Sequence, residues 1–261
     1  MYKDITVNCA CYKGYSLENA LQYVAAAGYK MVELPCMRGW CEMVSPDMQE
    51  SELEEVQKLL TKYGLSVPAV AAHVDFLSGP DAFEWLERSI PLAKKLGATI
   101  VITSPGEGEY EERLEKLRKL DTICGDYGVQ LALEPHGTLC TGKQLKQAIL
   151  EAGTKNVVIN YDTANVLFFG GVNPLEDMPE AMDRIGYVHV KDKRGGQGVW
   201  DFPAAGEGEL PIAALLSVLK QNKYDGIISA EIEFTPEGPE SLEEINRSIQ
   251  ASLTYLKSIE M

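Results

Sequence analysis

Residues 130–162 read QLALEPHGTLCTGKQLKQAILEAGTKNVVINYD and contain one complete repeat of the pattern that runs through the chain. Two short apolar runs, residues 130–134 and 157–161, have the length of buried strands. Between them, Thr141 and Gln144 have the spacing of a helix capping box, and Gly153 stands where a helix commonly ends in a left-handed residue. The stretch therefore predicts a strand, a helix and a second strand.

The same alternation of strand and helix continues in both directions. The predicted strands span residues 5–9, 31–34, 66–71, 99–103, 130–134, 157–161, 187–190 and 226–231. Helix starts are predicted at Ser45-Pro46 and Asn173-Pro174, where a capping side chain precedes a proline. Strict alternation is typical of a parallel sheet covered by helices, and eight units in 261 residues favour an α/β fold of the (β/α)8 TIM barrel type.

A doubly wound sheet is the alternative fold, but its dinucleotide-binding form carries a glycine fingerprint after the first strand, and residues 8–14 have none. The chain has no linker, low-complexity tract or change of composition. We therefore expect residues 1–261 to form a single domain.

Charge and composition exclude several classes of partner. The chain has 24 Lys and Arg residues against 39 Asp and Glu residues, a formal net charge of −15. This sign opposes binding to the phosphates of nucleic acid and to anionic membranes. No apolar run approaches the roughly 18 residues of a membrane span. We expect no nucleic-acid or membrane partner.

The six cysteines are scattered, and the first residues do not resemble a secretory signal, so we expect reduced thiols in a cytoplasmic protein. The pairs Cys9 with Cys11 and Cys36 with Cys41 lack the two-residue spacing of a zinc knuckle. They are interpreted as small buried side chains, with zinc binding as the alternative.

Four consecutive predicted strands carry, at their ends, side chains of the types that bind metals. Glu134 and Asp162 end the fifth and sixth strands, and His189 and Glu231 lie in the last two. In a β/α barrel the active site lies at the carboxyl ends of the strands. Because side chains alternate along a strand, the apolar helix-facing set of the sixth strand leaves Asp162 pointing inward. The same count groups Ala132, Glu134 and His136; Tyr187 and His189; and Ser229, Glu231 and Glu233.

Carboxylates and an imidazole that meet in a small buried space would repel and raise one another's pKa unless a cation neutralised them. Three carboxylates and one imidazole suit Mn²⁺, Mg²⁺, Co²⁺ or Zn²⁺, and we expect Mn²⁺ first. A single acidic strand end is more often a helix cap or a solvated charge. Four in register on consecutive strands are harder to produce by chance, and they predict a divalent-metal site.

The motifs around these residues resemble those of the sugar isomerase and epimerase family that has a xylose-isomerase-like TIM barrel. This family includes ketose 3-epimerases, hydroxypyruvate isomerases, inosose dehydratase and, more distantly, endonuclease IV. The resemblance covers nearly the whole chain and rests on Leu133-Glu134-Pro-His136-Gly, Tyr161-Asp162-Thr-Ala-Asn165, Val188-His189-Val-Lys191-Asp192, Gly206-Glu-Gly208-Glu-Leu-Pro and Tyr224-Asp-Gly226-Ile-Ile-Ser-Ala-Glu231. It implies the metal ligands Glu134, Asp162, His189 and Glu231, with Glu233 as the alternative to Glu231.

The resemblance also implies a reaction. In this family the ion binds two adjacent substrate oxygens and stabilises an enediolate, while Glu134 and Glu231 would lie on opposite sides of the substrate as acid and base. The expected activity is that of a sugar isomerase or epimerase acting on a small carbohydrate. A dehydratase or other lyase acting on an oxidised sugar, cyclitol or glycoside would use the same groups, and a non-catalytic binding protein is the third alternative.

One residue departs from the pattern of the ketose epimerases, and the histidine count and the charge argue against endonuclease IV. Ketose epimerases usually carry a histidine where this chain has Asn165, which cannot titrate near neutral pH. A role of that histidine as a proton donor is therefore in doubt here. Endonuclease IV needs more histidines than the three present, and the net charge of −15 disfavours DNA.

Further residues are expected to bind substrate, each with an anchoring or surface role as the alternative: Glu33, His73, His136, Asn165, Lys191, Asp192 and Arg194. Trp40 and Trp200 lie in glycine-containing segments and are interpreted as a wall over a sugar or as a dimer contact, whereas Trp85 is interpreted as packing. Because no glycine-rich phosphate cradle is visible, an unphosphorylated sugar is favoured. We expect a homodimer or homotetramer.

Overall fold

Eight parallel strands curl into a ring that is covered by helices in this computed structural model, which describes residues 5–259. The strand order is β1 (Ile5–Val7), β9 (Ile227–Glu231), β8 (Ile185–Lys191), β7 (Val157–Asp162), β6 (Gln130–Leu133), β5 (Ile100–Thr103), β4 (Ala69–Ala71), β2 (Leu34–Met37) and β3 (Cys41–Glu42). The ring closes between β1 and β2, where Asn8 bridges Glu33 and the Cys9 amide donates to the Glu33 carbonyl over 3.0 Å. The predicted (β/α)8 TIM barrel class is confirmed.

The α-helices are α1 Leu17–Ala26, α2 Glu50–Tyr63, α3 Pro80–Lys95, α4 Tyr110–Tyr127, α5 Gly142–Ala152, α6 Asn165–Phe168, α7 Pro174–Ala181, α8 Ile212–Gln221 and α9 Leu242–Ser258. Two 3₁₀ turns span Cys9–Tyr12 and Met182–Arg184.

The second barrel strand lies further along the chain than predicted. Residues 31–33 form only isolated bridges, and the regular ladder begins at Leu34 and continues through Pro35. Proline has no amide hydrogen, which suggests a strand end. Its carbonyl nevertheless accepts from the amides of Met43 and Val44, so the strand continues and forms a hairpin with β3. That short antiparallel strand was not predicted.

Local capping chemistry sets most helix ends as predicted. The Thr141 and Gln144 capping box begins α5, and Asn173 caps α7 before Pro174. The helix start predicted at Ser45-Pro46 is wrong, because the Ser45 hydroxyl accepts from the Asp47 amide in a turn. The helix α2 begins at Glu50, after a capping box of its own.

The apolar core has two parts, one on each side of the sheet. The larger part lies between strands and helices and includes Val157, Ile159 and Tyr161, so the predicted outward alternation in β7 is confirmed. The smaller part fills the ring and consists of Ala69, Ile100, Ile102, Ala132 and Tyr187, with Val158 and Ile227 packed against it. We call this second group the apolar layer.

The cysteines Cys9, Cys11, Cys36, Cys41 and Cys124 are free and buried, and Cys140 is partly exposed. Among residues 5–259, no helix has the length and apolar character needed to cross a membrane.

Candidate functional site

The side chains of Glu134, Asp162, His189 and Glu231 meet at the carboxyl ends of β6 to β9. Strand register brings them together. Asp162 lies opposite His189 in the neighbouring strand, and Glu231 lies opposite Lys191, which is two residues beyond His189 on the same face of β8. Each of the four offers a ligand atom, and these atoms all lie within 4.8 Å of one another. All four residues are buried. We call this group the carboxylate–histidine cluster.

The cluster is arranged around the Nδ1 atom of His189. This atom lies 2.9 Å from Oε2 of Glu134, 3.1 Å from Oε2 of Glu231 and 3.9 Å from Oδ2 of Asp162. His189 Nδ1, Asp162 Oδ2 and Glu231 Oε2 are nevertheless buried without a hydrogen bond of acceptable geometry. Buried polar atoms without partners are costly, and a cation in their midst removes that cost. The donor set therefore fits a divalent ion.

Amide side chains hold the carboxylates of the cluster in place. Asn160 and Asn165 donate to the two oxygens of Glu134 over 2.6 and 2.8 Å, and Asn8 donates to Oε1 of Glu231 over 2.6 Å. Oδ1 of Asp162 accepts from the backbone amides of residues 164 and 165, each over 2.8 Å. These bonds leave Oδ2 of Asp162 and Oε2 of Glu231 directed at the shared centre.

Glu33 lies beneath His189 rather than in the mouth of the barrel. Its oxygens are 3.1 and 3.0 Å from Nε2 of His189, and Oε2 also accepts from the Tyr187 hydroxyl over 3.0 Å. The Glu33 side chain is fully buried, and its bonds to His189 and Tyr187 favour a positioning role. The expected substrate contact stays a prediction. A carboxylate at Nε2 fixes the ring and directs Nδ1 to the cluster.

Negative charge is in excess at this site. Burial raises the pKa of Asp162 well above its usual range, and Lys191 only partly opposes this. Burial also raises the pKa of Glu134, but the attraction of His73 and His189 outweighs it and lowers the pKa to about 2. Since Glu231 is likewise held below its usual pKa, chiefly by His189 and Lys191 against its burial, both glutamates are ionised at neutral pH.

Lys191 is buried, not a surface charge. Its Nζ lies 3.0 Å from Oε2 of Glu233, 3.3 Å from Oε2 of Glu231 and 3.7 Å from Oδ2 of Asp162. It also donates to Oδ1 of Asn165 over 3.3 Å. Lys191 thus compensates part of the carboxylate charge and fixes the carboxylates at the ends of β7 and β9.

His73 and His136 lie on the outer side of Glu134. His73 Nε2 is 3.6 Å from Glu134 Oε2, and His136 Nδ1 is 3.4 Å from Glu134 Oε1. Both imidazoles line a cavity of about 280 Å³, together with Glu134, Glu231 and Glu233. Burial lowers the pKa of His136 to about 4, which keeps its ring neutral at neutral pH. We call this space the inner cavity.

Asp192 and Arg194 brace a loop and do not line the inner cavity. The Asp192 carboxylate accepts from the backbone amides of Gly206, Gly208 and Leu210 over 2.8 to 3.1 Å. Arg194 is half-exposed and donates to the Glu207 carbonyl over 3.1 Å. These contacts favour a structural role, since backbone groups of the loop occupy the Asp192 carboxylate and the Arg194 side chain is 47% exposed. The expected substrate contacts stay predictions.

Asn8 and Arg38, which directly follow the first two barrel strands, were missed as site residues, whereas Trp40 is among the residues interpreted as a wall over a sugar. Asn8 supports Glu231, and its signal in the sequence is a polar residue two positions after Thr6, at the inward-facing end of β1. Arg38 and Trp40 lie in the turn after β2 and line the inner cavity. Arg38 has no sequence signal of this kind, because the hairpin that places it was not predicted.

Comparison with known proteins agrees with this architecture. An inosose dehydratase from Geobacillus kaustophilus is 28% identical over 149 residues, covering 50% of this chain and 47% of that protein, so the match spans about half of this relative. An inosose dehydratase from Clostridium botulinum is 22% identical over 254 residues, covering 86% of this chain and 84% of that protein.

Among solved structures, D-psicose 3-epimerase from Clostridium cellulolyticum H10, determined with D-tagatose, superposes with a TM-score of 0.78. The two chains are 14% identical, and the alignment covers 98% of this chain and 99% of the epimerase. The sequence pattern described as the xylose isomerase-like TIM barrel matches residues 21–259. Because that match spans most of the chain, the protein belongs to the xylose isomerase-like TIM barrel family.

Proposed function

We propose that the protein is a divalent-metal-dependent carbohydrate enzyme that moves a proton on the carbon next to a ketone, as a ketose isomerase or epimerase. The observation that carries the proposal is the set of orphaned polar atoms of His189, Asp162 and Glu231, buried beside a cavity of sugar size. The D-psicose 3-epimerase that superposes on this chain has the same fold, which is compatible with this chemistry.

Glu134, Asp162, His189 and Glu231 would hold the ion, and their three carboxylates and one imidazole suit Mn²⁺. A bound divalent ion would act as a Lewis acid towards the carbonyl and hydroxyl oxygens of the substrate. Glu33 keeps the His189 ring oriented for this task.

Glu134 and Glu231 are the proposed base and acid. Both line the inner cavity, and their Oε2 atoms lie 2.9 and 3.1 Å from His189 Nδ1. A lowered pKa leaves each carboxylate ionised and able to accept a proton at neutral pH. In an epimerase one ionised glutamate would remove the proton from carbon and later release it to solvent. The other glutamate would first take up a proton from solvent and then deliver it to the opposite face of the same carbon.

The remaining polar side chains have supporting roles in this proposal. His73 and His136 are partly exposed in the inner cavity, where each can bind a substrate hydroxyl. Asn165 and Lys191 are buried and bonded to Glu134 and to Glu231 respectively, so we assign them to orienting these two carboxylates.

Dehydration is the second candidate reaction. The inosose dehydratase relatives favour it. Asn165, which cannot titrate near neutral pH, lacks the proton-donor role of the histidine that ketose epimerases usually carry there. After the same proton is removed, the hydroxyl on the following carbon leaves as water and a carbon–carbon double bond forms.

The test is proton exchange in D₂O. The Mn²⁺-loaded protein is incubated with ketoses and with inososes, and the products are followed by NMR and mass spectrometry. An epimerase introduces deuterium next to the carbonyl without other change of mass, whereas a dehydratase yields a product lighter by one water. If no substrate of either class exchanges, or if exchange persists after chelation of all metal, the proposal is wrong.

A further inference from the structure

A second cavity adjoins the inner cavity on the side of the loop after β9. Its volume is about 470 Å³, and Ala10, Trp40 and Glu233 line both spaces. We call it the outer cavity. It is the larger of the two, so a single sugar ring placed over the carboxylate–histidine cluster would leave most of the combined space unfilled.

Two tryptophans form the walls of the outer cavity. Trp40 and Trp200 both line it, and they are 47% and 41% exposed. Trp200 packs edge-on against Phe168 and Phe202, with ring centroids 5.6 and 5.2 Å apart. Lys13 Nζ lies 4.5 Å from the centroid of Trp40. Neighbouring side chains therefore hold both indoles while part of each remains open to a ligand.

A few polar groups accompany these apolar walls. Glu233 stands at the boundary of the two cavities, where Lys191 holds its carboxylate at 3.0 Å. Lys13, Thr235 and Glu237 lie further out. Aromatic walls with a small number of placed polar groups are the usual composition of a small-molecule site, and indoles suit ring-shaped ligands.

We propose that the outer cavity is a subsite for a second ring, and that the substrate is a glycoside whose reacting sugar ring carries a ketone, or a similar two-ring conjugate, instead of a free monosaccharide. The reacting sugar occupies the inner cavity, the second sugar or aryl ring packs against Trp40 and Trp200, and Glu233 hydrogen-bonds near the link between them. This inference rests on the proposed function, because it takes the ring in the inner cavity to be the reacting carbohydrate.

Calorimetric titration of the full chain tests the subsite without knowledge of the natural substrate. The probes are the p-nitrophenyl β-glycosides of glucose, galactose and xylose, each compared with its free sugar. For at least one pair, the aryl glycoside is expected to bind about tenfold more tightly than the free sugar. Trp40→Ala and Trp200→Ala should each remove most of this preference, and Trp40→Phe should retain part of it.

Tyr127→Ala is the matched control, since Tyr127 is an aromatic residue of α4 that is 42% exposed and lines neither cavity. It should leave the preference unchanged. The proposal is overturned if no aryl glycoside shows saturable binding, if glycosides and free sugars bind equally, or if the tryptophan variants weaken both ligands alike. It is also overturned if these variants change only the oligomeric state in sedimentation, which would make the indoles an interface between copies.

The titrations are run with Mn²⁺ and again after treatment with EDTA. If the proposed metal-dependent function is wrong but the outer subsite exists, the preference for glycosides should be seen both with Mn²⁺ and after EDTA. Absence of the outer subsite would abolish the preference in both, whether or not the protein turns over a ketose. The two proposals can therefore fail independently.

Discussion

The barrel interior contains an apolar layer and a charged layer, and on a single strand only two residues separate them. On β6, Ala132 belongs to the apolar layer and Glu134 to the carboxylate–histidine cluster above it. On β8, Tyr187 and His189 show the same change. The apolar layer stabilises the fold by burial, whereas the cluster concentrates like charges that burial disfavours. Stability and chemistry are thus assigned to different layers of the same strands.

The largest effect is expected on turnover, when a glutamate of the carboxylate–histidine cluster is replaced and the apolar layer is left unchanged. Glu134→Gln or Glu231→Gln should lower kcat by about a thousandfold, since general acid–base groups contribute roughly 10²- to 10⁴-fold. Both variants should still fold, but the free energy of unfolding without metal should fall, because the lowered pKa of each glutamate means that the folded state favours its ionised form. Steady-state kinetics and urea unfolding measure the two quantities. Wild-type turnover in either variant would contradict the assignment, and Glu180→Gln on the surface is the control.

In the apolar layer we expect the opposite result, a large loss of stability without a loss of metal binding. Ile102→Ala should cost about 2–5 kcal/mol of unfolding free energy, because the fully buried side chain leaves a cavity inside the ring. The affinity for Mn²⁺ should stay unchanged in the folded variant. Denaturant unfolding and calorimetric titration measure these two effects, and a large loss of metal affinity would show that the layers are coupled.

Glu33 connects the two layers. Its carboxylate accepts from the hydroxyl of Tyr187 in the apolar layer and contacts Nε2 of His189 in the carboxylate–histidine cluster. Glu33→Gln should weaken Mn²⁺ binding by roughly 10- to 100-fold, the usual cost of losing a group that orients a ligand. Tyr187→Phe, which keeps the carboxylate, should have a smaller effect. Equal affinities of the wild type and Glu33→Gln would show that His189 needs no such support.

The smallest effect is expected outside both layers. Arg194→Ala removes a half-exposed contact with Asp201, for which at most about 1 kcal/mol of stability is expected. kcat and KM should remain close to wild-type values. A strong rise of KM would restore Arg194 as a substrate contact, and steady-state kinetics decides between the two.

Residue pattern alone predicted the barrel and the membership of the cluster. Parity in β7 placed Asp162 inward, and the structure brings it together with Glu134, His189 and Glu231. Asn8 and Asn160 were not recognised as partners of these carboxylates, because their contacts depend on which strands become neighbours in the closed ring. The outer cavity was not predicted either, since loops distant in sequence form its walls.

Local and periodic information was enough for the eight βα units, most helix caps and the chemical types at the strand ends. These features depend on alternation and spacing within about 30 residues of chain. Only the tertiary structure decided that Glu33 lies under His189, that Lys191 is buried among carboxylates, and that Asp192 bonds to a loop. The physical reason is that burial and partner choice arise from the packing of remote segments, which no single segment encodes.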